Sequence, residues 1–160
     1  MRQLTSSWRR SFVGAVICFI ALNVVLSVVA LAAEQPDLPH THATTDHITA
    51  GTILWGDGSI ISPPLVFMAV LGLLLWGVVR GPTWLSIASA ALIVVGTAVM
   101  AIDEFTGDGG LKRKPALYSQ SKWDLALILG WIFIVAAGAV VVSGVAWLAT
   151  SLTTRRLAVR

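Results

Sequence analysis

Residues 60–102 read IISPPLVFMAVLGLLLWGVVRGPTWLSIASAALIVVGTAVMAI. The stretch holds two apolar runs on either side of Arg80-Gly81-Pro82, and neither run has a charged residue at its centre. A Gly-Pro pair between apolar runs is typical of a tight turn, so the stretch predicts an antiparallel helical hairpin. Each run approaches the roughly 20 residues that a helix needs to cross a hydrocarbon layer about 30 Å thick. We therefore predict membrane-spanning helices at residues 60–79 and 83–102.

Two further apolar stretches, residues 12–32 and 125–149, flank this hairpin. Together the four stretches predict an all-α integral membrane protein, a bundle of four transmembrane helices with outer loops at residues 33–59 and 103–124. The composition agrees, because only 12% of the 160 residues are charged and 56% are hydrophobic, whereas soluble domains carry about a quarter charged residues. The spans and loops account for the whole length, so we expect a single transmembrane domain over residues 1–160.

The basic residues predict how the bundle is oriented. Segment 33–59 contains no Lys or Arg, whereas the N-terminus, the Arg80 turn and the C-terminus are basic. Cytoplasmic loops carry an excess of Lys and Arg, so we expect a multi-pass protein of the cell membrane with both termini in the cytoplasm. The basic run Lys112–Lys114 opposes this rule in the second outer loop, where Asp103 and Glu104 offset its charge.

The first apolar stretch has a second interpretation, as a secretory signal. A basic flank precedes it, and Ala30-Leu31-Ala32 resembles a small-residue cleavage site. The apolar core of a signal peptide is about 7–15 residues long, and this run is longer. We expect a retained membrane span.

The first outer loop holds every histidine of the chain: His40, His42 and His47, with Asp46 beside the last. Imidazole and carboxylate ligands suit a divalent transition metal such as zinc, copper or nickel. His40 and His42 would project from one side of an extended strand. These four residues are the candidate metal ligands. The main interpretation of this segment is nevertheless a solvated loop without metal, because the spacing matches no established metal motif, and pH sensing by the histidines is a further alternative.

The same loop predicts a small outer hairpin or flap between the first two spans. Asp57-Gly58 is a turn signal, and residues 52–55 and 59–61 on its two sides have apolar and β-branched character. Trp55 would anchor the flap at the membrane surface.

The interior of the spans is predicted to pack through small and polar residues. Asn23 lies in the first span and needs a partner in hydrocarbon, so it should face another helix. In the fourth span Gly130, Ala137 and Gly144 recur every seven residues, a spacing that lets helix backbones approach closely. We expect Trp147 at the inner membrane interface and Trp131 between helices.

No catalytic arrangement emerges from the sequence. It lacks a nucleophile elbow, a phosphate-binding glycine loop and a His-Glu-x-x-His helix. We expect a non-enzymatic protein without a resident cofactor, apart from the candidate metal of the histidine loop. The net charge of +3 comes with short basic flanks of membrane helices, so nucleic acid is not an expected partner.

The expected function is that of an accessory, assembly or structural subunit. It would act through helix and loop contacts with the lipid bilayer and with a protein partner or further copies of itself. The alternative is a small transporter or channel for a divalent metal captured by the histidine loop. Its weakness is that the spans offer few polar groups to line a path.

Overall fold

The computed structural model describes residues 2–32, 51, 54, 65–106 and 120–158. Within these residues the regular structure is helical throughout. The elements are α1 (Arg2–Ala32), α2 (Leu65–Arg80), α3 (Thr83–Thr106) and α4 (Gln120–Ala158). The prediction of an all-α chain is confirmed for this part of the protein.

Three of the described helices are long and apolar enough to cross a membrane. Their candidate spans are Ser6–Val28, Thr83–Asp103 and Ile128–Thr154. The described part of α2 has 16 residues, which corresponds to about 24 Å of helix and falls short of a hydrocarbon core of about 30 Å. The molecule is therefore compatible with a multi-pass membrane protein in which α1, α3 and α4 are the candidate spanning helices.

The four helices pack as neighbours in a ring. Helices α1 and α3 each pack against both α2 and α4. Two aromatic pairs set the antiparallel register of α1 and α4: the ring centroids of Phe12 and Trp147 lie 5.8 Å apart, and those of Phe19 and Phe133 lie 5.2 Å apart. The N-termini of α1 and α3 and the C-termini of α2 and α4 therefore share one end of the bundle, which we name the arginine end.

The core is built from residues that alternate three and four positions apart. On α4 the buried positions with this spacing are Gly130, Phe133, Ala137, Val140, Gly144 and Trp147, and Ser143 is buried beside Gly144. On α1 they are Phe12, Val16, Phe19, Asn23 and Ser27. This spacing is typical of helices packed side by side at a shallow angle in a bundle. It explains why one stripe of each helix is buried while the opposite face is exposed and apolar.

Gly144 marks the tightest meeting of helices. A Cβ atom added there would lie 2.8 Å from Phe12 Cε2 on α1 and would overlap Val94 Cγ2 on α3. Only a residue without a side chain lets α4 approach both neighbours at once. Gly130, Ala137 and Gly144 are all buried, and the predicted close approach of helices is confirmed at Gly144.

The prediction that Trp131 packs between helices was wrong, whereas the predicted depth of Trp147 at the inner membrane interface stays a prediction; the core spacing explains which of the two rings is buried. Trp147 is 5% exposed and stacks on Phe12, whereas Trp131 is 50% exposed. Trp147 follows Gly144 by three residues and Val140 by seven, so it lies on the buried stripe of α4. Trp131 falls outside that stripe. Aromatic character alone does not reveal which face of a helix carries the ring.

The helices also extend beyond the predicted spans. Helix α1 begins at Arg2 rather than at residue 12, and α4 continues to Ala158 rather than stopping at residue 149. Near the end of α4, Thr150, Thr153 and Thr154 each donate a hydrogen bond to the carbonyl four residues earlier. Each hydroxyl thus has a hydrogen-bond partner in its own helix. The helix can therefore continue through a polar segment, which the apolar runs of the sequence did not predict.

The predicted flap between α1 and α2 is described at two residues only. Gly51 and Leu54 have helical backbone and are exposed, which differs from the extended backbone predicted for residues 52–55. The preference for extended backbone depends on contacts with a neighbouring strand. A segment of four residues has only a weak preference of its own. The other residues of the predicted hairpin lie outside the described part of the chain.

Candidate functional site at the arginine end

The arginine end contains a helix terminus whose hydrogen bonds are completed by two other helices. Helix α2 ends at Arg80, and the Gly81 N–H donates to the Gly77 carbonyl at 3.0 Å. The next carbonyl, that of Val78, would pair in a continuing helix with the N–H of residue 82. Residue 82 is proline, which has no N–H. The sequence itself therefore removes the partner of the buried Val78 carbonyl.

Arg9 on α1 supplies one replacement donor. Its Nη2 atom donates to the carbonyl oxygen of Val78 at 2.9 Å and to that of Val79 at 3.2 Å. A helix C-terminus carries partial negative charge on its unpaired carbonyls, so a guanidinium is favoured there. Arg9 lies within the apolar span Ser6–Val28. Its long side chain lets the charge leave that segment and reach the end of α2.

Ser86 on α3 supplies the second donor. Its hydroxyl donates to the same Val78 carbonyl at 2.8 Å, and the residue is buried. A carbonyl oxygen has two lone pairs and can accept both bonds. The end of α2 is thus tied to α1 and to α3 through one oxygen atom.

The chain separates its charged residues between the two ends of the bundle. Six arginines occupy positions near the helix termini of the arginine end: Arg2, Arg9, Arg10, Arg80, Arg155 and Arg156. The acidic residues of the described helices, Asp103, Glu104 and Asp124, are at the opposite end, where α3 finishes and α4 begins. The other five acids belong to the segments connecting α1 to α2 and α3 to α4. Every lysine belongs to segment 107–119 or to the first turn of α4.

Polar side chains are also buried along the bundle interior. The Asn23 side chain, fully buried as predicted, donates from Nδ2 to the Phe19 carbonyl at 2.7 Å. Ser143 bonds to the Ala139 carbonyl at 2.6 Å. The Thr97 hydroxyl is fully buried and accepts or donates no hydrogen bond within the described part of the chain. Most of these groups are satisfied by their own helix, which allows polar residues to occupy an apolar core.

The predicted metal ligands His40, His42, Asp46 and His47 lie outside the described residues. Among the residues that the structure does describe, no group of three or more His, Cys, Asp or Glu side chains could hold a metal ion. Cys18 is exposed on α1. The metal hypothesis therefore stays a prediction.

Sequence reasoning did not identify the contact between Arg9 and α2. One signal was available: a proline two residues after Arg80 removes the donor for the Val78 carbonyl. That signal shows that a donor is needed but does not show which residue supplies it, because Arg9 is 69 residues away from Val78 along the chain.

Comparison with known proteins gives no relative for this chain. No protein-family model, no curated protein and no solved structure matches it. Its function has to be argued from its own residues.

Proposed function

We propose that the protein is an accessory, assembly or structural subunit of a membrane complex. It would act through contacts of its helices and of segments 33–59 and 103–124. The observation that carries this proposal is the interior of the bundle. Two aromatic pairs and the Gly144 contact fill the described core, and the charged residues of the described helices are grouped near the helix ends. Such a core suits a scaffold better than a reaction centre or a hydrated path.

Exposed apolar residues support the same proposal. Along α3 the exposed positions Leu92, Val95 and Val99 are each 60% exposed, and the other helices carry similar faces. In a bilayer such faces contact lipid tails or the helices of a partner.

The test is to isolate the protein with its native companions. The full chain, carrying an affinity tag and produced at its natural level, would be extracted in a mild detergent and weighed by native mass spectrometry. We expect species heavier by the mass of one or more different proteins, which disappear when the same sample is extracted in a harsh ionic detergent. A chain that is recovered alone, or only with copies of itself, under several mild conditions would contradict the subunit proposal.

We further propose that the bundle crosses the membrane four times with both termini in the cytoplasm. The six arginines at one end support this orientation, because Lys and Arg near helix ends are retained on the cytoplasmic side. In this arrangement α2 would reach the outer surface through residues that precede Leu65.

Labelling of introduced cysteines tests the orientation. On a Cys18→Ser background, Ser59→Cys and Ala158→Cys place one thiol in the first outer loop and one at the end of α4. A membrane-impermeant maleimide should label Ser59→Cys in intact cells and Ala158→Cys only after the membrane is opened. The opposite pattern would invert the topology, and labelling of both sites in intact cells would mean an even number of spans between them, which contradicts the three spans of this arrangement.

A small transporter or channel is the second candidate. Asn23 and Ser27 on α1 and Thr97 on α3 favour it, because these polar side chains are buried within apolar spans. Purified protein in liposomes would take up zinc or another divalent metal, and His40→Ala with His42→Ala and His47→Ala would abolish the uptake. Liposomes whose metal content matches that of protein-free liposomes would remove this candidate.

A further inference from the structure

Among the described residues, the arginine end presents positive charge while the acidic residues lie at the other end of the bundle. The hydrogen bonds of Arg9 within this part of the chain go to carbonyls, which carry no full negative charge. Arg10 and Arg80 are exposed, and Arg80 directly follows Val79, whose carbonyl accepts a bond from Arg9. Positive groups gathered in this way repel each other, and a bound anion relieves that repulsion.

The choice of basic residue indicates which anion fits. The basic residues of the described helices at this end are all arginines, whereas the three lysines, Lys112, Lys114 and Lys122, lie together with Arg113 in the sequence between the end of α3 and the first turn of α4. A guanidinium is planar and offers paired donors that match two oxygens of a phosphate group, whereas lysine acts as a point charge.

Exposed tryptophan rings indicate that the anion is the phosphate of a lipid headgroup. Three tryptophans near the arginine end have exposed rings: Trp8 at 37%, Trp76 at 65% and Trp84 at 68%. Amphipathic indole rings on membrane proteins collect at the level of the lipid headgroups. At that level the abundant phosphates are those of the lipids themselves.

We propose that the arginine end is a binding surface for the phosphate groups of anionic phospholipids, with Arg10 and Arg80 as the available guanidinium groups. Each basic residue near an anionic membrane surface contributes about 1 kcal/mol, or about a fivefold change in binding. Arg9 adds positive charge to this surface, while its Nη2 atom remains hydrogen-bonded to the carbonyls at the end of α2. This surface does not depend on whether the protein is a subunit or a transporter.

The test measures which lipids stay on the intact protein. The full chain in a neutral detergent would be mixed with equal amounts of phosphatidylglycerol and phosphatidylcholine, and retained lipids would be counted by native mass spectrometry. We expect phosphatidylglycerol to be enriched on the wild type. In the double variant Arg10→Gln/Arg80→Gln the enrichment should fall by about tenfold or more. Equal retention of the two lipids by the wild type would overturn the proposal.

A matched control separates the surface from net charge. Lys112→Gln/Lys114→Gln removes the same number of charges from the segment that connects α3 and α4, and the enrichment should remain. Equal losses in the two double variants would overturn the proposal, because net charge alone would then explain lipid binding. Arg10→Lys/Arg80→Lys keeps the charge and should retain part of the enrichment, which also covers the case in which the glutamine variant does not fold.

Competition distinguishes lipid from other anions. If inorganic phosphate displaces phosphatidylglycerol at millimolar concentration, the ligand is a soluble phosphate and the lipid proposal fails. If a single-stranded oligonucleotide displaces the lipid instead, a nucleic acid is the better partner and the proposal fails as well. Lipid retention that persists in both competitions supports a membrane-surface site.

Discussion

Gly144 is the residue whose replacement should disturb the bundle most directly. Its missing side chain lets α4 contact Phe12 and Val94 at the same point. Gly144→Ala should lower the free energy of unfolding by about 1–3 kcal/mol, because an added methyl group overpacks a filled core. Titration with a denaturing detergent, followed by circular dichroism, measures this change.

Gly138 offers the matched control on the same helix. A Cβ atom added there meets no other atom within 4 Å. Gly138→Ala should leave stability unchanged or raise it by up to about 1 kcal/mol, since alanine is the better helix former. If both alanine variants behave alike, the close approach at Gly144 is not what holds the three helices together.

Trp147 gives a second residue-scale prediction through its fluorescence. Its ring is buried against Phe12, whereas Trp8, Trp76, Trp84 and Trp131 are exposed in the bundle. The emission of Trp147 is obtained by subtracting the spectrum of Trp147→Phe from that of the wild type. A lipid-soluble bromine quencher should reduce this emission by a smaller fraction than it reduces the total emission of the wild type. Equal quenching of Trp147 and of the other rings would contradict its burial.

The end of α2 gives the prediction at the scale of one element. Arg9 and Ser86 both donate to the Val78 carbonyl that Pro82 leaves without a helical donor. Arg9→Gln and Ser86→Ala should each reduce stability by about 1 kcal/mol. Together they should cost more than the sum of the two, because the buried oxygen then has no donor.

Arg10→Gln is the control for this double-mutant cycle. Arg10 is adjacent to Arg9 and exposed, so its replacement removes the same charge without removing the bonds to α2. In a neutral detergent the stability should not change. An additive cycle would show that Arg9 and Ser86 contribute independently and would contradict the role of the shared carbonyl. A loss with Arg10→Gln equal to that with Arg9→Gln would show that charge, rather than the bonds to α2, stabilises this end.

A structural feature of these elements could be predicted only where it corresponds to a local pattern in the sequence. The apolar runs located the centres of all four described helices, because a bilayer requires continuous apolar length. The end of α1 at Ala32 and the start of α3 at Thr83 agree with the predicted spans. The polar extension of α4 was not predicted, since Thr150 and its neighbours continue the helix by bonding to their own backbone. The bonds from Arg9 depend on the register between helices, which no local pattern encodes. The burial of Trp147 does follow a local pattern, since it lies three residues after Gly144 on the buried stripe of α4.

At the scale of the whole molecule, α1 is an integral part of the core. Phe12, Val16 and Phe19 are almost fully buried, and α1 packs against both α2 and α4. A chain beginning at Ala33 should therefore fail to form the stable bundle. Co-expression of residues 1–32 as a separate peptide should restore it, because helices in a bilayer associate through packing after each has inserted.

Protease resistance and circular dichroism of the purified samples measure that restoration. A peptide carrying Phe12→Ala and Phe19→Ala is the matched control, and it should not restore the bundle because both ring pairs with α4 are lost. A stable bundle formed by residues 33–160 alone would contradict the role assigned to α1.

The two side chains that donate to the Val78 carbonyl, Arg9 and Ser86, are synthesised at different times. A ribosome makes Arg9 69 residues before it makes Val78, and it makes Ser86 eight residues after. During synthesis the earlier helix already carries a guanidinium when the proline-terminated end of α2 emerges, and the serine follows in the first turn of α3. The order of residues along the chain is thus also an order of assembly, in which α1 can receive α2 before α3 has been made.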